Sequence, residues 1–181
     1  MLRGERVGLR ARFESDIPVL MAELYNDVAT RSRADSRPWV PVAPDGKKQP
    51  YDVEGALPEA ACFSVVDLET DEMVGESLLW GIDTHNRLAH IGLSIRPGFR
   101  GRGLAVDIVR VLCDYGFVVR GLNRLQIETL ADNGAMRRAA LAAGFTLEAT
   151  LRRSAWVTGE FLDEVVFGLL ATEAGTVRKV V

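Results

Sequence analysis

Ile95-Arg-Pro-Gly-Phe-Arg-Gly-Arg-Gly-Leu-Ala105 is the stretch on which the fold turns. It joins an alternating apolar run that ends at Ile95 to a helical pattern that begins near Leu104. The connection is rich in glycine and arginine. Gly101 and Gly103 let backbone N–H groups converge on an anion without a Cβ in the way. The helix start adds unpaired donors and the positive end of its dipole. Arg96, Arg100 and Arg102 add full charges, which makes the stretch the size of a pyrophosphate site. A P-loop would need Gly-Lys-Ser/Thr, and no lysine is present here. A dinucleotide fingerprint would need a βαβ unit, whereas antiparallel strands precede this loop. From these residues alone two readings stand: a phosphate-holding loop and a solvated glycine-rich turn.

Upstream, Cys62–Asp67, Met73–Ile82 and Arg87–Ile95 alternate with period two. Short turns at Glu69–Glu72 and Asp83–Asn86 separate them, so they pair antiparallel. Before them, Val7–Phe13 reads as a first strand. A helix capped by Ser15 follows through Ile17, Leu20, Met21 and Leu24, then a short one over Asp27–Ala34. The proline-rich segment from Asp35 to Pro50 is a long loop of the kind that binds substrate. A short helix is expected over Val53–Ala60. Downstream, Leu104, Ile108, Leu112 and Tyr115 mark a helix closed by Gly121. Arg124–Leu130 is a strand and Asn133–Ala143 a helix ended by Gly144. Phe145–Val157 and Phe161–Leu170 form a last hairpin. The order defines an α+β fold, a mixed and mostly antiparallel central sheet flanked by helices.

The 181 residues suit a single domain, 1–181, with 171–181 a short C-terminal tail. The formal net charge is −3, with Lys47, Lys48 and Lys179 the only lysines. A weakly acidic chain argues against extended nucleic-acid binding, even with pairs such as Arg137–Arg138 and Arg152–Arg153. Cys62 and Cys113 read as small core residues rather than a disulfide framework. With no signal-like leader and no membrane-length apolar run, a cytoplasmic location is expected.

Arg100-Gly-Arg-Gly-Leu-Ala105 resembles the Arg/Gln-x-x-Gly-x-Gly/Ala signature of the GNAT superfamily of N-acetyltransferases, with Arg100, Gly103 and Ala105 at its defining positions. Ile91–Pro97, Asn133, Ala143-Gly-Phe145 and the element order are similar as well, over about Leu2 to Leu170. Met73-Val-Gly75, Gly159…Asp163 and Leu9-Arg10 resemble the branch that acetylates ribosomal-protein N-termini. The resemblance implies a GNAT acyl-CoA N-acyltransferase fold with splayed central strands. It implies acetyl-CoA as co-substrate, held along Leu93, Ser94 and Ile95. The pyrophosphate would lie on Arg100, Gly101, Arg102, Gly103, Leu104 and Ala105, and Asn133 would reach the pantetheine amides. An amine acceptor would attack the thioester directly, with no metal. Relatives are often homodimers.

Family members commonly carry a tyrosine seven residues after that asparagine, or a serine three after it; here Ala140 and Met136 stand there. Candidate catalytic groups are His90, Glu76 and Ser94. The acceptor side would be built from about Asn26 to Pro50, with Asp35 and Trp39, and from Ser154 to Phe161. A non-catalytic acyl-CoA-binding module is the alternative that the missing tyrosine and serine raise.

Overall fold

Two tight turns convert the alternating runs into an antiparallel meander, and a computed structural model of the chain shows how it is extended. It describes residues 1–43, 50–52 and 57–175. Strands β1 (Leu2–Arg3), β2 (Val7–Arg10), β3 (Ala60–Asp67), β4 (Met73–Asp83) and β5 (Leu88–Ile95) lie side by side, each antiparallel to the next. Beyond them come β6 (Arg124–Leu130), β7 (Thr146–Val157) and β8 (Glu160–Leu170). The sheet order is β1-β2-β3-β4-β5-β6-β8-β7, and β5–β6 is its parallel junction. This is the mixed, helix-flanked sheet expected. Strand β8 enters between β6 and β7, so the last hairpin leaves β7 at the edge.

One sheet face carries the main core. Helix α3 (Leu104–Asp114) packs against β2, β4 and β5, and its Leu104, Ile108 and Leu112 share one core with Ala89, Ile91, Leu125, Ile127 and Phe167, all at most 3% exposed. It continues as a wider turn over Tyr115–Val119, and Gly121, at φ +64°, ends the run. Helix α4 (Gly134–Ala142) adds Ala139 and Ala140 to the same side. On the opposite face, α1 (Ile17–Leu20), its continuation Met21–Tyr25 and α2 (Val28–Ala34) surround a second cluster of Leu20, Leu24, Tyr25 and Tyr51.

Several local expectations change. Strand β2 stops at Arg10, and the chain enters a short turn over Glu14–Asp16 ahead of α1, closed by Asp16 rather than Ser15: Asp16 accepts from the Phe13 N–H at 2.9 Å and from both Arg10 Nη atoms. Leu57–Glu59, expected to be helical, form a turn and Ala60 opens β3; residues 53–56 of that expected helix lie outside the described residues. Cys62 is exposed on β3, whereas Cys113 is buried in α3. Trp156, near the end of β7, is 62% exposed.

Asp16 gives a pH prediction. Burial favours its neutral form, but bonds from Arg10, the Phe13 amide and the Ser64 hydroxyl outweigh burial and hold its pKa at about 2. A folded pKa below the unfolded value stabilises the fold above the unfolded pKa, and the gain is lost as pH falls through the folded one. Asp16 therefore contributes about 2 kcal/mol above roughly pH 4, fading as the pH drops toward 2. Denaturant titrations of Asp16→Asn and the parent chain should converge across that window; parallel curves from pH 7 to pH 2 would refute the assignment.

Candidate active site

The sheet opens where β5 leaves β6. Leu88, Ala89 and His90 pair with Arg124, Leu125 and Gln126, and the pairing stops there. Toward β4, β5 stays paired through Ile95. Arg96 N–H donates to Val74 O at 2.9 Å. Alternation along the strand therefore turns the amides of Gly92 and Ser94 to β4, and those of Leu93 and Ile95 to the slot. Ile95 O accepts from Arg100 Nε at 2.9 Å, which ties the loop to the slot's end. Backbone donors on an open strand edge fit a ligand that carries amides of its own.

The loop meets α3 at Gly103, whose φ of +77° places the helix start in a left-handed cap; Gly101 lies at +75°. No side chain caps α3, so its first N–H groups keep their capacity for an anion. Asp107, in the first turn, is turned inward. It accepts from the N–H groups of Glu5, Arg6 and Val7 at 2.7 to 3.1 Å. Arg6 Nη1 in turn donates to Arg102 O at 2.6 Å, so the β1–β2 turn backs the loop. Arg102 bonds Gly98 O at 2.8 Å and lies over the Phe99 ring. Arg96, expected beside a phosphate, is committed elsewhere: it grips Glu23 at 2.6 and 3.0 Å and also Met73 O. Leu104 is buried and anchors the helix, with Ala105 beside it. The amide slot and the uncapped, glycine-bounded helix start together fit an acyl-CoA.

Asn133 caps α4. Its Oδ1 accepts from Met136 N–H at 3.2 Å and its Nδ2 donates to Thr129 Oγ1 at 3.0 Å. Ala140 is fully buried and Met136 packs against the core, so neither offers a proton donor.

Cross-strand partners share a face, so Glu76 lies beside Ser94, and Trp80, His90 and Gln126 form a row on the same side. His90 Nδ1 is 2.8 Å from Glu128 Oε1, and its ring stacks on Trp80 at 4.3 Å and 22°. Gln126 and Arg124 continue the network to Glu148. Burial favours neutral Glu128, but the His90 and Gln126 bonds prevail and lower its pKa. Glu76 is buried and bonds Arg12 at 2.7 Å; burial raises its pKa against the pull of Arg12. The pairing of His90 with a carboxylate 38 residues away had no signal in the sequence.

On the acceptor side, α2 crosses toward the slot. Arg33 bonds Asp132, just before Asn133, at 2.5 Å. Asp35 is bound by Arg31 and Arg37. Asp45 and Glu54 lie outside the described residues. Ser154 bonds Glu164 at 2.7 Å on the last hairpin, and Trp156 packs edge-on against Phe161. Among the described residues there is no group of three or more metal-binding side chains, and no helix is long and apolar enough to cross a membrane.

An open amide edge leading to an uncapped helix start suits a ligand with amides along its length and an anion at its end. Residues 6–146 match the acetyltransferase (GNAT) domain family, and the chain belongs to it. An uncharacterized N-acetyltransferase p20 of Bacillus licheniformis is 32% identical over 115 residues, covering 64% of this chain and 65% of that protein. A probable N-acetyltransferase YjcK of Bacillus subtilis is 27% identical over 109 residues, 60% of each chain. The match thus spans less than two thirds of either relative. Among solved structures, a spermidine N-acetyltransferase from Vibrio cholerae in complex with CoA and spermine superposes with a TM-score of 0.76. Identity is 20%, over 93% of this chain and 98% of that one. At that identity the likeness is one of fold.

Proposed function

We propose that this chain is an acetyl-CoA-dependent N-acetyltransferase that acetylates a primary amine by direct attack on the thioester. The observation that carries the reading is the slot between β5 and β6, opening at His90 and running to the uncapped start of α3. The pantetheine arm would pair with Leu93 and Ile95, and the Leu93 N–H would polarise the thioester carbonyl and hold the oxyanion. Gly101, Gly103, Leu104 and Ala105 would cradle the pyrophosphate through backbone N–H groups, with Arg100 and Arg102 adding charge. Asn133 would keep its cap and offer the second lone pair of Oδ1 to a pantetheine amide.

We assign the base to His90. With Nδ1–H donated to Glu128, the lone pair is on Nε2. The neutral amine adds to the carbonyl carbon, and Nε2 takes the proton that nitrogen gives up. The C–S bond breaks, and the same proton passes to the departing thiolate. A single shuttle of this kind does not need the tyrosine that Ala140 replaces. Glu76 is the second candidate, beside Ser94.

The acceptor is a protein N-terminus or a small-molecule amine; the resemblance to the ribosomal-protein branch supports the first. We further propose a cytoplasmic enzyme that pairs with a second copy through the last hairpin, where Trp156 and Phe161 are exposed. The alternative, a binding module without turnover, is the reading that applies if His90 does not replace the tyrosine and serine missing at Ala140 and Met136. Acetyl-CoA at a hundredfold excess over Kd should stabilise the fold by about 2.7 kcal/mol. No rise in Tm would rule out both readings, while release of free thiol with any amine would exclude the module.

A further inference from the structure

The wall between α1, α2 and the sheet contains buried donors without acceptors. Arg12 is 9% exposed and Tyr51 is 3% exposed. Arg12 Nε, Tyr51 Oη and Trp39 Nε1 are buried atoms with no hydrogen-bond partner among the described residues. They belong to one aromatic cluster. The Arg12 guanidinium lies 5.2 Å from the Tyr51 ring centre, and Tyr25 is 6.5 Å from Tyr51 and 6.3 Å from Trp39. The cluster reaches the β4–β5 face beside the slot through Arg12, which bonds Glu76, the cross-strand partner of Ser94 of β5.

Buried polar atoms are normally paired, and orphaned ones at a binding site mark where a ligand group belongs. Arg12 Nε and Trp39 Nε1 can only donate. Burial first, then the charge of Glu76, raises the Tyr51 pKa, so its hydroxyl also keeps its proton. Three donors call for an oxygen acceptor. Among the described residues of this wall, Glu76 is engaged by Arg12 and Asp35 by Arg31 and Arg37. A polycation would have to displace those arginines.

Resting on the transferase reading, we infer that the acceptor is an amine that carries a carbonyl or carboxylate oxygen close to its nitrogen. The oxygen would be held by Arg12 and Tyr51, with Trp39 joined to them through Tyr25. A free amino acid and the first residue of a peptide share this chemistry; a polyamine does not. The wall orients the acceptor by its oxygen and leaves its amino group to face the thioester.

Calorimetric titration of the CoA-saturated chain reads binding without turnover. The probes are an amino acid, its amide, a dipeptide, a matched alkylamine and spermidine. The oxygen-bearing amines should bind at least tenfold more tightly than the alkylamine and spermidine. A preference for the amino acid over the dipeptide identifies a free carboxylate as the group held, and the reverse identifies a peptide carbonyl. Tyr51→Phe and Trp39→Phe, each checked by Tm and CoA binding, should erase most of the preference. Equal or tighter binding of spermidine, or an unchanged preference in both variants, overturns the inference. Binding of these amines with no thiol release would overturn the transferase reading and leave this one standing.

Discussion

His90→Ala should lower kcat by about 10²- to 10⁴-fold, the range for a positioned general base, without changing the Kd for CoA. The ring is held from two sides, by Glu128 at 2.8 Å and by the face of Trp80. It sits at the last β5 residue paired with β6, where the slot opens. Removing it takes away the proton acceptor and leaves the Leu93 and Ile95 amides in place. Glu128→Gln should cost less, since an amide oxygen can still accept from Nδ1 but no longer stabilises the imidazolium. Steady-state kinetics with saturating acetyl-CoA, together with a Tm for each variant, separate lost chemistry from lost folding. If His90→Ala keeps its kcat and Glu76→Gln loses it, the base is Glu76.

Asp107→Ala should destabilise the fold by roughly 3–5 kcal/mol, because it orphans three backbone donors that now share a charged acceptor. Val7, one of the three, is fully buried. The fall in Tm should be about 10 °C. CoA affinity should fall as well, since the same turn reaches the loop through Arg6 and Arg102 O. Asp107→Asn keeps one acceptor oxygen and should lie between. A Tm within 2 °C of the parent chain for Asp107→Ala, roughly the effect of a sub-kcal/mol change, would show that water replaces the carboxylate.

The parts of the fold that were legible are those set by local periodicity. The hairpins, the strand–loop–helix at Ile95–Ala105 and the stop at Gly144 depend on neighbours in sequence, and they stand where the pattern puts them. What was hidden depends on distant partners. Nothing near Arg96 says that Glu23 claims it, and nothing near Asp107 points to residues 5–7. The two-residue β1 is too short to carry a period. The entry of β8 between β6 and β7 is a matter of topology, which alternation does not encode. Cys62 looked like core because its neighbours are apolar, yet alternation gives it the opposite face from Phe63. At the site, the loop was legible because anion binding at a helix start needs glycine. Of the acceptor wall, the proline-rich loop marked Trp39, whereas Arg12 and Tyr51 carried no signal, since they join it across loops with no shared period.

The seam between β5 and β6 has a mechanical meaning. Three residue pairs join the five-stranded meander to the three-stranded remainder of the sheet. One buried core, with Ala89 and Ile91 from the first part and Leu125, Ile127 and Phe167 from the second, spans the seam and holds the two parts together. His90 stands on one side of this weld and Glu128 on the other. The spacing of the two strands at this seam therefore also sets the reach between the imidazole and its carboxylate, so the width of the slot and the alignment of the proposed base are fixed together.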